Sequence, residues 1–413
     1  MTASGSTRVP ARQGGHSALP RLVGDAADDF ARTHWGERPL LSRAATLPLP
    51  FSDLLDHGAV DELISQRALR APFLRVAKEG VTLADRAFTQ GGGVGAAVAD
   101  QVSDDKLLHL FADGATMVLQ GLHRSWAPLI AFSQQLAAEL GHPVQANAYV
   151  TPAQNTGFSD HYDVHDVFVV QIEGEKRWSV RPPIRRSPLR DEPWGQRRAE
   201  VDAAALRPPL LDVTLRPGDC LYLPRGYLHA ATALGMVSTH VTFGVHAWTR
   251  RHLADAMVAS ALRQASEDEA LRASLPMGLD LTDVVALTPH VDVVRELVAS
   301  AIRQMDAGEL ARLMGATAVT SQRAAPVGVL AQAHAADTLQ EGARLTLRAH
   351  LAARLVAGEG GTASVRSRAG VLDLDESEVA PVKRLLHRGG AHVVELGAPL
   401  ARRLLLAGVV VSG

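Results

Sequence analysis

The stretch from Val144 to about Arg250 constrains the fold of this chain most strongly. Short segments with strand propensity follow one another there, separated by the turn-like stretches EGE, RPGD and PRG. The segments are ANAYVT, HDVFVVQIE, KRWSVR, LLDVTL, DCLYLP and MVSTHVTFGVHAW. Short strands at this spacing predict a β-barrel or a β-sandwich.

Helical patterns flank this region on both sides. Before it, ADDFARTHW, DKLLHLFADG and WAPLIAFSQQLAAELG place apolar residues three and four apart. After it, RRHLADAMVASALRQASEDEALRASL and VDVVRELVASAIRQMDAGELARLMG have one apolar stripe each, which suits a packing layer or a dimer face. Two later helices, around EVAPVKRLLHRG and APLARRLLLAG, with a final VVV, resemble a small winged-helix unit.

We therefore expect an α+β protein with a central β-barrel. The predicted organisation is a disordered leader over residues 1–20, a barrel domain over 21–250, a helical segment over 251–318 and a winged-helix-like domain over 319–413. The leader contains scattered Arg, Gly, Ser and Pro and has no apolar core, so a signal peptide is not expected.

The composition narrows the range of partners and compartments. The 42 basic and 44 acidic side chains give a formal charge of -2, so direct nucleic-acid binding is not expected. The longest apolar runs, such as LLLAGVVV, are shorter than the ~20 residues needed to cross a bilayer, so no membrane contact is expected. A single cysteine, Cys220, suits a reducing compartment, and we expect a cytoplasmic protein.

A candidate metal site begins at the stretch HYDVHDVFVV, residues 161–170. Composition alone predicts about two His-x-Asp/Glu pairs in such a chain, and the sequence has two, His161-x-Asp163 and His290-x-Asp292. We interpret the second pair as surface or capping polarity near the start of a helical segment. On a strand, His161 and Asp163 project to the same face.

His229, just after a Pro-Arg-Gly corner, is the candidate third ligand. Two imidazoles and one carboxylate on one side of a metal leave coordination positions open, as in non-heme Fe(II) oxygenases, whereas zinc tends to complete a tetrahedron. His165 and His123 are expected to be non-ligating, and the tryptophans are expected to pack in the core.

A reactive iron of this kind needs an electron source, and 2-oxoglutarate can supply it if a cation holds its distal carboxylate. Lys176 follows the EGE stretch, which we interpret as the turn of a hairpin, so its side chain can return to the metal. In the last predicted strand, polar residues including His240 and Thr242 alternate with apolar ones, as expected where a strand lines a wet cavity.

Residues 147–178 and 218–244 resemble the JmjC-type ribosomal oxygenases of the cupin superfamily. The resemblance implies a double-stranded β-helix (the cupin jelly roll), Fe(II), 2-oxoglutarate and hydroxylation of a protein side chain by O2. It also implies a helical dimerisation segment, hence a homodimer, and a winged helix. Known members act on histidine or arginine of ribosomal proteins, so the implied substrate is a protein or peptide, with a ribosomal protein among the candidates.

The resemblance also assigns roles to individual residues. His161, Asp163 and His229 fall on the metal ligands of the family, and Lys176 falls on its basic residue for the distal carboxylate. Asn147 and Tyr149 match positions lining the cosubstrate pocket. Two alternatives remain open: a non-catalytic metal-binding cupin module, and an N-methyl-lysine demethylase on the same iron centre.

Overall fold

The computed structural model describes residues 17–413. Most of the predicted leader, residues 1–16, lies outside the described residues, and the first helix begins at Ala18. The chain divides into two compact units. The first runs to Ala247 and includes Ala325–Val327 and Arg348–His350, and the second contains the remaining residues after Trp248. No helix among residues 17–413 is both long and apolar enough to span a bilayer.

The first unit is built mainly from antiparallel strands. In chain order they are β1 Leu40–Ser42, β2 Leu74–Lys78, β3 Val81–Thr82, β4 Thr89–Gln90, β5 Gln101–Val102, β6 Thr116–Leu119, β7 Val144–Thr151, β8 Asp166–Arg181, β9 Leu211–Leu215, β10 Cys220–Leu223 and β11 Leu228–Val245. Its α-helices are α1 Ala18–Val23, α2 Ala27–Asp29, α3 His57–Gln66, α4 Asp104–Ala112, α5 Leu122–Ser125, α6 Ala127–Leu140 and α7 Arg198–Ala205.

One large sheet has the order β1-β10-β8-β11-β7-β6-β2-β3, and β9 pairs with the second half of β8. The long strands β8 and β11 pair with each other along both of their halves. Strand β11 also pairs with β7, from Ser238 opposite Thr151 to Val245 opposite Val144. The α+β class and the antiparallel sheet predicted from the sequence are confirmed.

Two local features of β8 differ from the sequence-based expectation. The EGE stretch is not a hairpin turn, because β8 continues unbroken through it. Gly174 has φ +64°, and a Cβ there would lie 2.2 Å from the carbonyl oxygen of Val237. The pairing with β11 shifts register beside it, between Leu234 and Thr239. Gly174 therefore marks an irregularity that bends the strand. A glycine with turn-like neighbours in the sequence can indicate such an irregularity as well as a hairpin turn.

The start of β8 also differs. We expected a strand to begin with the HYD residues, but β8 begins at Asp166. His161 instead forms an isolated antiparallel bridge with His229. Beyond that point, alternate residues of β8 pack into separate apolar clusters: Phe168 and Val170 belong to the main core with Phe30 and Tyr222, whereas Val167 and Val169 belong to a second cluster.

The second unit begins with helices and ends with small sheets. Its helices are α8 Arg250–Ala265, α9 Glu269–Arg272, α10 Val284–Gln304, α11 Ala307–Thr320, α12 Val329–Asp337, α13 Glu376–Arg388, α14 Val393–Leu396 and α15 Ala398–Leu406. Its strands are β12 Arg344–Leu347, β13 Arg354–Ala357, β14 Ala363–Ser367, β15 Gly370–Leu374, β16 Gly390–His392 and β17 Val410–Ser412. They form the sheets β16-β12-β17 and β13-β14-β15.

The His290-x-Asp292 pair lies inside α10 rather than near its start. Helix α10 begins at Val284, where the side chain of Asp283 accepts hydrogen bonds from the backbone N–H groups of Val285 and Ala286. Asp292 forms an ion pair with Arg295 on the exposed surface of the same helix. This pair is therefore surface polarity, and the helix is capped by a different residue.

Candidate metal centre

His161, Asp163 and His229 come together in the first unit. One possible ligand atom from each lies within 4.8 Å of the others. The Nε2 atom of His229 is 3.9 Å from a carboxylate oxygen of Asp163, and the rings of His161 and His229 are 4.5 Å apart between centroids. The group formed by these three side chains is the only such His/Cys/Asp/Glu cluster found among residues 17–413.

Hydrogen bonds set the orientation of both imidazoles. Nδ1 of His161 lies 2.8 Å from the carbonyl oxygen of Ser159, and Nδ1 of His229 lies 3.0 Å from that of Tyr227. Because a carbonyl oxygen only accepts, each Nδ1 donates, and each Nε2 keeps a free lone pair. A backbone carbonyl behind a ligating histidine is the usual arrangement in metal sites. The donor set therefore suits a divalent metal.

The Pro-Arg-Gly corner fixes Asp163. The backbone N–H of Gly226 donates to the carbonyl oxygen of Asp163 at 3.0 Å. Gly226 has φ +91°, and a Cβ there would lie 2.3 Å from the carbonyl oxygen of Arg185. Only glycine can occupy this position without moving its neighbours. The corner that precedes His229 in the sequence therefore also positions the carboxylate ligand.

Burial and the neighbouring charges together keep His229 and Asp163 in their metal-binding protonation states. Burial, followed by the charge of His161, lowers the pKa of His229 to about 4, so this imidazole is neutral at neutral pH. For Asp163, burial alone raises the pKa, but the neighbouring histidines, His165 first, outweigh it and the pKa is lowered. Asp163 is therefore an anion. A neutral imidazole and an ionised carboxylate are the forms that bind metals.

Lys176 lies in the same cavity and is 3% exposed. Its Nζ donates to Oγ1 of Thr151 at 2.9 Å, and it has no ion pair with any carboxylate among residues 17–413. Burial without a counter-charge lowers its pKa to about 7. A buried cation with no anionic partner is costly, so the pocket is suited to an anion that enters from solution.

The cavity next to the three ligands is the site cavity. It has both polar and apolar walls. Two buried donors, Nε1 of Trp178 and Nδ1 of His240, have no hydrogen-bond partner there. The walls are formed by Tyr149, Phe158, His161, Asp163, Val167, Val169, Lys176, Trp178, His229, Ala231, His240 and Thr242. Unpartnered polar atoms beside an unpaired lysine indicate space for a polar ligand.

Of the predicted pocket residues, Tyr149, His240 and Thr242 line the site cavity. The rings of Tyr149 and His240 stack with centroids 4.8 Å apart, and burial, then the charge of Asp163, raises the pKa of Tyr149 to about 12. Asn147 is opposite Thr242 on the neighbouring strand, but its Oδ1 accepts from the backbone N–H of Gly121 at 3.0 Å.

The expected non-ligands lie outside the ligand cluster. Nε2 of His165 is 3.3 Å from the side-chain nitrogen of Gln145, and Nδ1 of His123 accepts from the backbone N–H of Ala146 at 3.1 Å. Sequence reasoning missed Thr151, and it assigned Trp178 to the core alone. The pairing of Ser238 with Thr151 brings Thr151 into this region, and a single sequence carries no signal for that pairing.

Comparison with known proteins identifies the domain that carries this site. Residues 127–253 match the family model of the JmjC domain. Residues 127–253 of this chain are therefore similar to JmjC domains. The match includes all three candidate ligands and Lys176, and it confirms the resemblance to the JmjC-type ribosomal oxygenases that the sequence indicates.

Two curated proteins are similar to this chain over about three fifths of its length. Ribosomal oxygenase 1 of Gallus gallus is 30% identical over 267 residues, which are 62% of this chain and 41% of that protein. The bifunctional lysine-specific demethylase and histidyl-hydroxylase NO66 of Aedes aegypti is 29% identical over 267 residues, which are 61% of this chain and 38% of that protein. The matched region spans about two fifths of the length of these two proteins.

Solved structures extend the similarity beyond the JmjC domain. The ribosomal oxygenase YcfD of Escherichia coli has a TM-score of 0.55 at 18% identity, covering 94% of this chain and 98% of that one. A structure of YcfD in complex with cobalt and 2-oxoglutarate has a TM-score of 0.56 at 18% identity and covers 95% and 99% of the two chains. At this identity the similarity establishes the fold.

Proposed function

We propose that this protein is an Fe(II)- and 2-oxoglutarate-dependent oxygenase that hydroxylates an amino-acid side chain in a protein or peptide. One observation carries the proposal. Two imidazole Nε2 atoms and a carboxylate converge beside a buried lysine that has no counter-ion among residues 17–413. That combination provides one position for a metal and a second for a dianionic cosubstrate.

His161, Asp163 and His229 are the residues that hold the metal. His161 and His229 belong to one backbone bridge, and Asp163 is held by the Pro-Arg-Gly corner, so the three approach from the same side. A set of two histidines and one carboxylate leaves further coordination positions open. No fourth His, Cys, Asp or Glu joins this cluster among the described residues, so it does not form the closed tetrahedron of a structural zinc site.

Lys176 is the residue that holds 2-oxoglutarate, through the distal carboxylate. The Thr151 hydroxyl that accepts from Lys176 is uncharged. Lys176 therefore gains a counter-ion only when the cosubstrate binds. Trp178 offers an unpartnered N–H donor nearby, and Nδ1 of His240 is unpartnered as well. When bound, Fe(II) and 2-oxoglutarate supply the activation of O2, with 2-oxoglutarate converted to succinate and CO2 while one oxygen atom enters a C–H bond.

The chain's own share of the reaction is positioning and the exclusion of water. Val167 and Val169 give the site cavity an apolar wall and are almost fully buried. Phe158 and Trp194, both partly exposed, lie next to His161, with ring centroids 5.9 and 6.4 Å from its ring. We propose that a substrate side chain enters beside these two rings.

The names of the relatives support a protein substrate. Proteins called ribosomal oxygenase and histidyl-hydroxylase match this chain, and on that basis we propose a protein or peptide substrate, with a ribosomal protein as a candidate. One relative is also called a lysine-specific demethylase. Mass spectrometry of candidate peptides separates the two activities, because hydroxylation adds one oxygen whereas demethylation removes a methyl group.

The test of the proposed function is the conversion of 2-oxoglutarate to succinate by the Fe(II)-loaded protein. We expect turnover even without peptide, and its loss in Asp163→Ala. Asp212→Ala serves as the matched control, since Asp212 is a surface carboxylate paired with Arg177 on β8. A wild-type protein that binds Fe(II) but never consumes 2-oxoglutarate would instead be a non-catalytic metal-binding cupin module.

We further propose that the second unit contains a dimerisation segment and a winged-helix-like domain. Helices α8 and α10 expose large apolar side chains, including Val258, Leu262, Val285 and Val294, which supports a homodimer through the segment 251–318. Helices α13 and α15 with the sheet β16-β12-β17 support a winged-helix-like domain over 319–413. Sedimentation of wild type and Leu262→Glu tests the dimer. A cytoplasmic location stays a prediction.

A further inference from the structure

Arg75 on β2 belongs to the inner row of the sheet that carries the site. Arg75 pairs with Val118, Val118 with Tyr149, and Tyr149 with His240. Directly paired residues of neighbouring antiparallel strands place their side chains on the same face. Arg75 therefore projects to the side on which Tyr149 and His240 line the site cavity.

The guanidinium of Arg75 lies over an aromatic wall of the site cavity. Its central carbon is 5.3 Å from the ring centroid of Phe158, and that ring is 5.9 Å from the ring of His161. Arg75 is half-buried, and its Nε is buried without a hydrogen-bond partner. The side chain is thus held against Phe158, beside the site cavity, by a cation–π contact.

No carboxylate forms an ion pair with Arg75 among residues 17–413. Asp163 lies closer to His229, and the charge of Arg75 contributes only a small part to the lowered pKa of Asp163. Lys176 provides the cation for the cosubstrate further inside, beside Thr151. A partly desolvated guanidinium gains most from a carboxylate, which its planar fork binds with two parallel hydrogen bonds. Arg75 is therefore available to a second anion.

A second guanidinium lies near the aromatic rings around His161. The guanidinium of Arg198 lies 5.0 Å from the ring centroid of Trp194, whose ring neighbours that of His161. Arg198 has no carboxylate partner in the part of the chain that the structure describes. Nearby acidic side chains already have cationic partners, in the pairs Asp160–Arg181, Glu192–Arg185 and Glu200–Arg197.

We propose that the protein selects an acidic peptide segment, in which a carboxylate next to the target residue pairs with Arg75 while the target side chain enters between Phe158 and Trp194. This inference rests on the proposed function and narrows its substrate class. It assigns Arg75 a role in substrate selection and none in the chemistry at the metal.

The test uses two pools of fluorescein-labelled peptides. All peptides have the same length, and the central residue varies within each pool. Asp and Glu flank the centre in one pool, and their uncharged counterparts Asn and Gln flank it in the other. Fluorescence anisotropy measures binding to the full chain, both metal-free and loaded with Mn(II) and N-oxalylglycine. We expect the acidic pool to bind about tenfold more tightly or better, which corresponds to one charge-assisted contact.

Three variants separate charge from folding. Arg75→Gln should remove the preference for the acidic pool, and Arg75→Lys should keep most of it. Lys78→Gln is the matched control, because Lys78 is on the same strand but pairs with the surface residue Asp113, and it should keep the full preference. Equal binding of the two pools by the wild type, including no binding of either, overturns the proposal, as does a preference that persists in Arg75→Gln.

Succinate formation by the wild type is measured on the same preparation. Its absence contradicts the proposed oxygenase activity even where the acidic preference is observed. Its presence together with equal binding of the two pools contradicts only the acidic preference, so the two failures are distinguishable.

Discussion

His161 and His229 face each other across a single antiparallel bridge, in which each backbone N–H donates to the other residue's carbonyl oxygen at 3.2 and 2.9 Å. The bridge joins two residues that are far apart in the sequence. Because backbone hydrogen bonds hold it, the two imidazoles are positioned before any metal binds. The metal site is therefore preorganised by the fold, and changes to the backbone around it should alter metal affinity.

Gly226→Ala should weaken metal binding. A Cβ at this position meets the carbonyl oxygen of Arg185, so the corner must move and the hydrogen bond from Gly226 to Asp163 is lost. We expect the affinity for Co(II), measured by isothermal titration calorimetry, to fall about 10-fold to 100-fold. Gly235→Ala is the control, since Gly235 also has a positive φ but has nothing within 4 Å of the added Cβ. Equal affinities in the two variants would contradict the role of the corner.

Lys176→Met should strongly weaken cosubstrate binding while metal binding persists. Among the lining residues in the described part of the chain, Lys176 is the only Lys or Arg. Removing one partner of a buried charge pair costs about 2–5 kcal/mol, so the Kd for 2-oxoglutarate should rise about 30-fold or more. Tryptophan fluorescence of the Mn(II)-loaded protein measures this Kd, because Trp178 lines the same cavity. Unchanged affinity for 2-oxoglutarate would exclude Lys176 as its anchor.

The affinity for 2-oxoglutarate should fall as the pH rises above about 7. Burial lowers the pKa of Lys176 in the unliganded protein to about 7, and only the protonated form attracts a carboxylate. At higher pH, binding must also take up a proton, which weakens it by up to tenfold per pH unit. A titration series from pH 6 to pH 9, roughly spanning this pKa, measures the slope, and a flat profile would contradict the assignment.

The same pKa shift has the opposite effect on folding stability. The lysine of the unfolded chain titrates at its usual pKa of 10.5, so between about pH 7 and 10.5 the unfolded state binds more protons than the folded state. The contribution of Lys176 to the free energy of unfolding therefore increases with pH across this window. Thermal unfolding of the ligand-free protein should show Lys176→Met to be more stable than wild type at pH 6, with the difference decreasing towards pH 10.

Gly174→Ala should destabilise the first unit. The added Cβ would lie 2.2 Å from the carbonyl oxygen of Val237, and the positive φ adds backbone strain. We expect a loss of about 2–4 kcal/mol in the free energy of unfolding, measured by chemical denaturation. Gly235→Ala again controls for the strain alone and should cost about 1 kcal/mol. A loss for Gly174→Ala no larger than that of the control would contradict the close approach of β8 and β11.

The sequence predicted the parts of the site that short-range patterns encode. The alternation of apolar and polar residues indicated the strands, and the His-x-Asp pair with a later histidine after Pro-Arg-Gly indicated three residues that the structure brings together. The helices around EVAPVKRLLHRG and APLARRLLLAG were also predicted, since their apolar periodicity and C-terminal glycines are local signals.

The errors involve long-range pairing. A glycine between two glutamates is typical of a hairpin turn, but Gly174 lies in a continuous strand because β11 changes register opposite it. The contact of Lys176 with Thr151 depends on the pairing of distant strands, which local periodicity does not encode. The bridge at His161 similarly depends on His229, so the sequence placed the start of the strand too early.

A crystal structure of the protein with Co(II) and 2-oxoglutarate, using anomalous scattering to locate the metal, tests the account most directly. We predict one anomalous peak bound by Nε2 of His161, a carboxylate oxygen of Asp163 and Nε2 of His229. The distal carboxylate of 2-oxoglutarate should pair with Nζ of Lys176. A metal bound elsewhere, a fourth protein ligand closing a tetrahedron, or a cosubstrate that leaves Lys176 unpaired would contradict it.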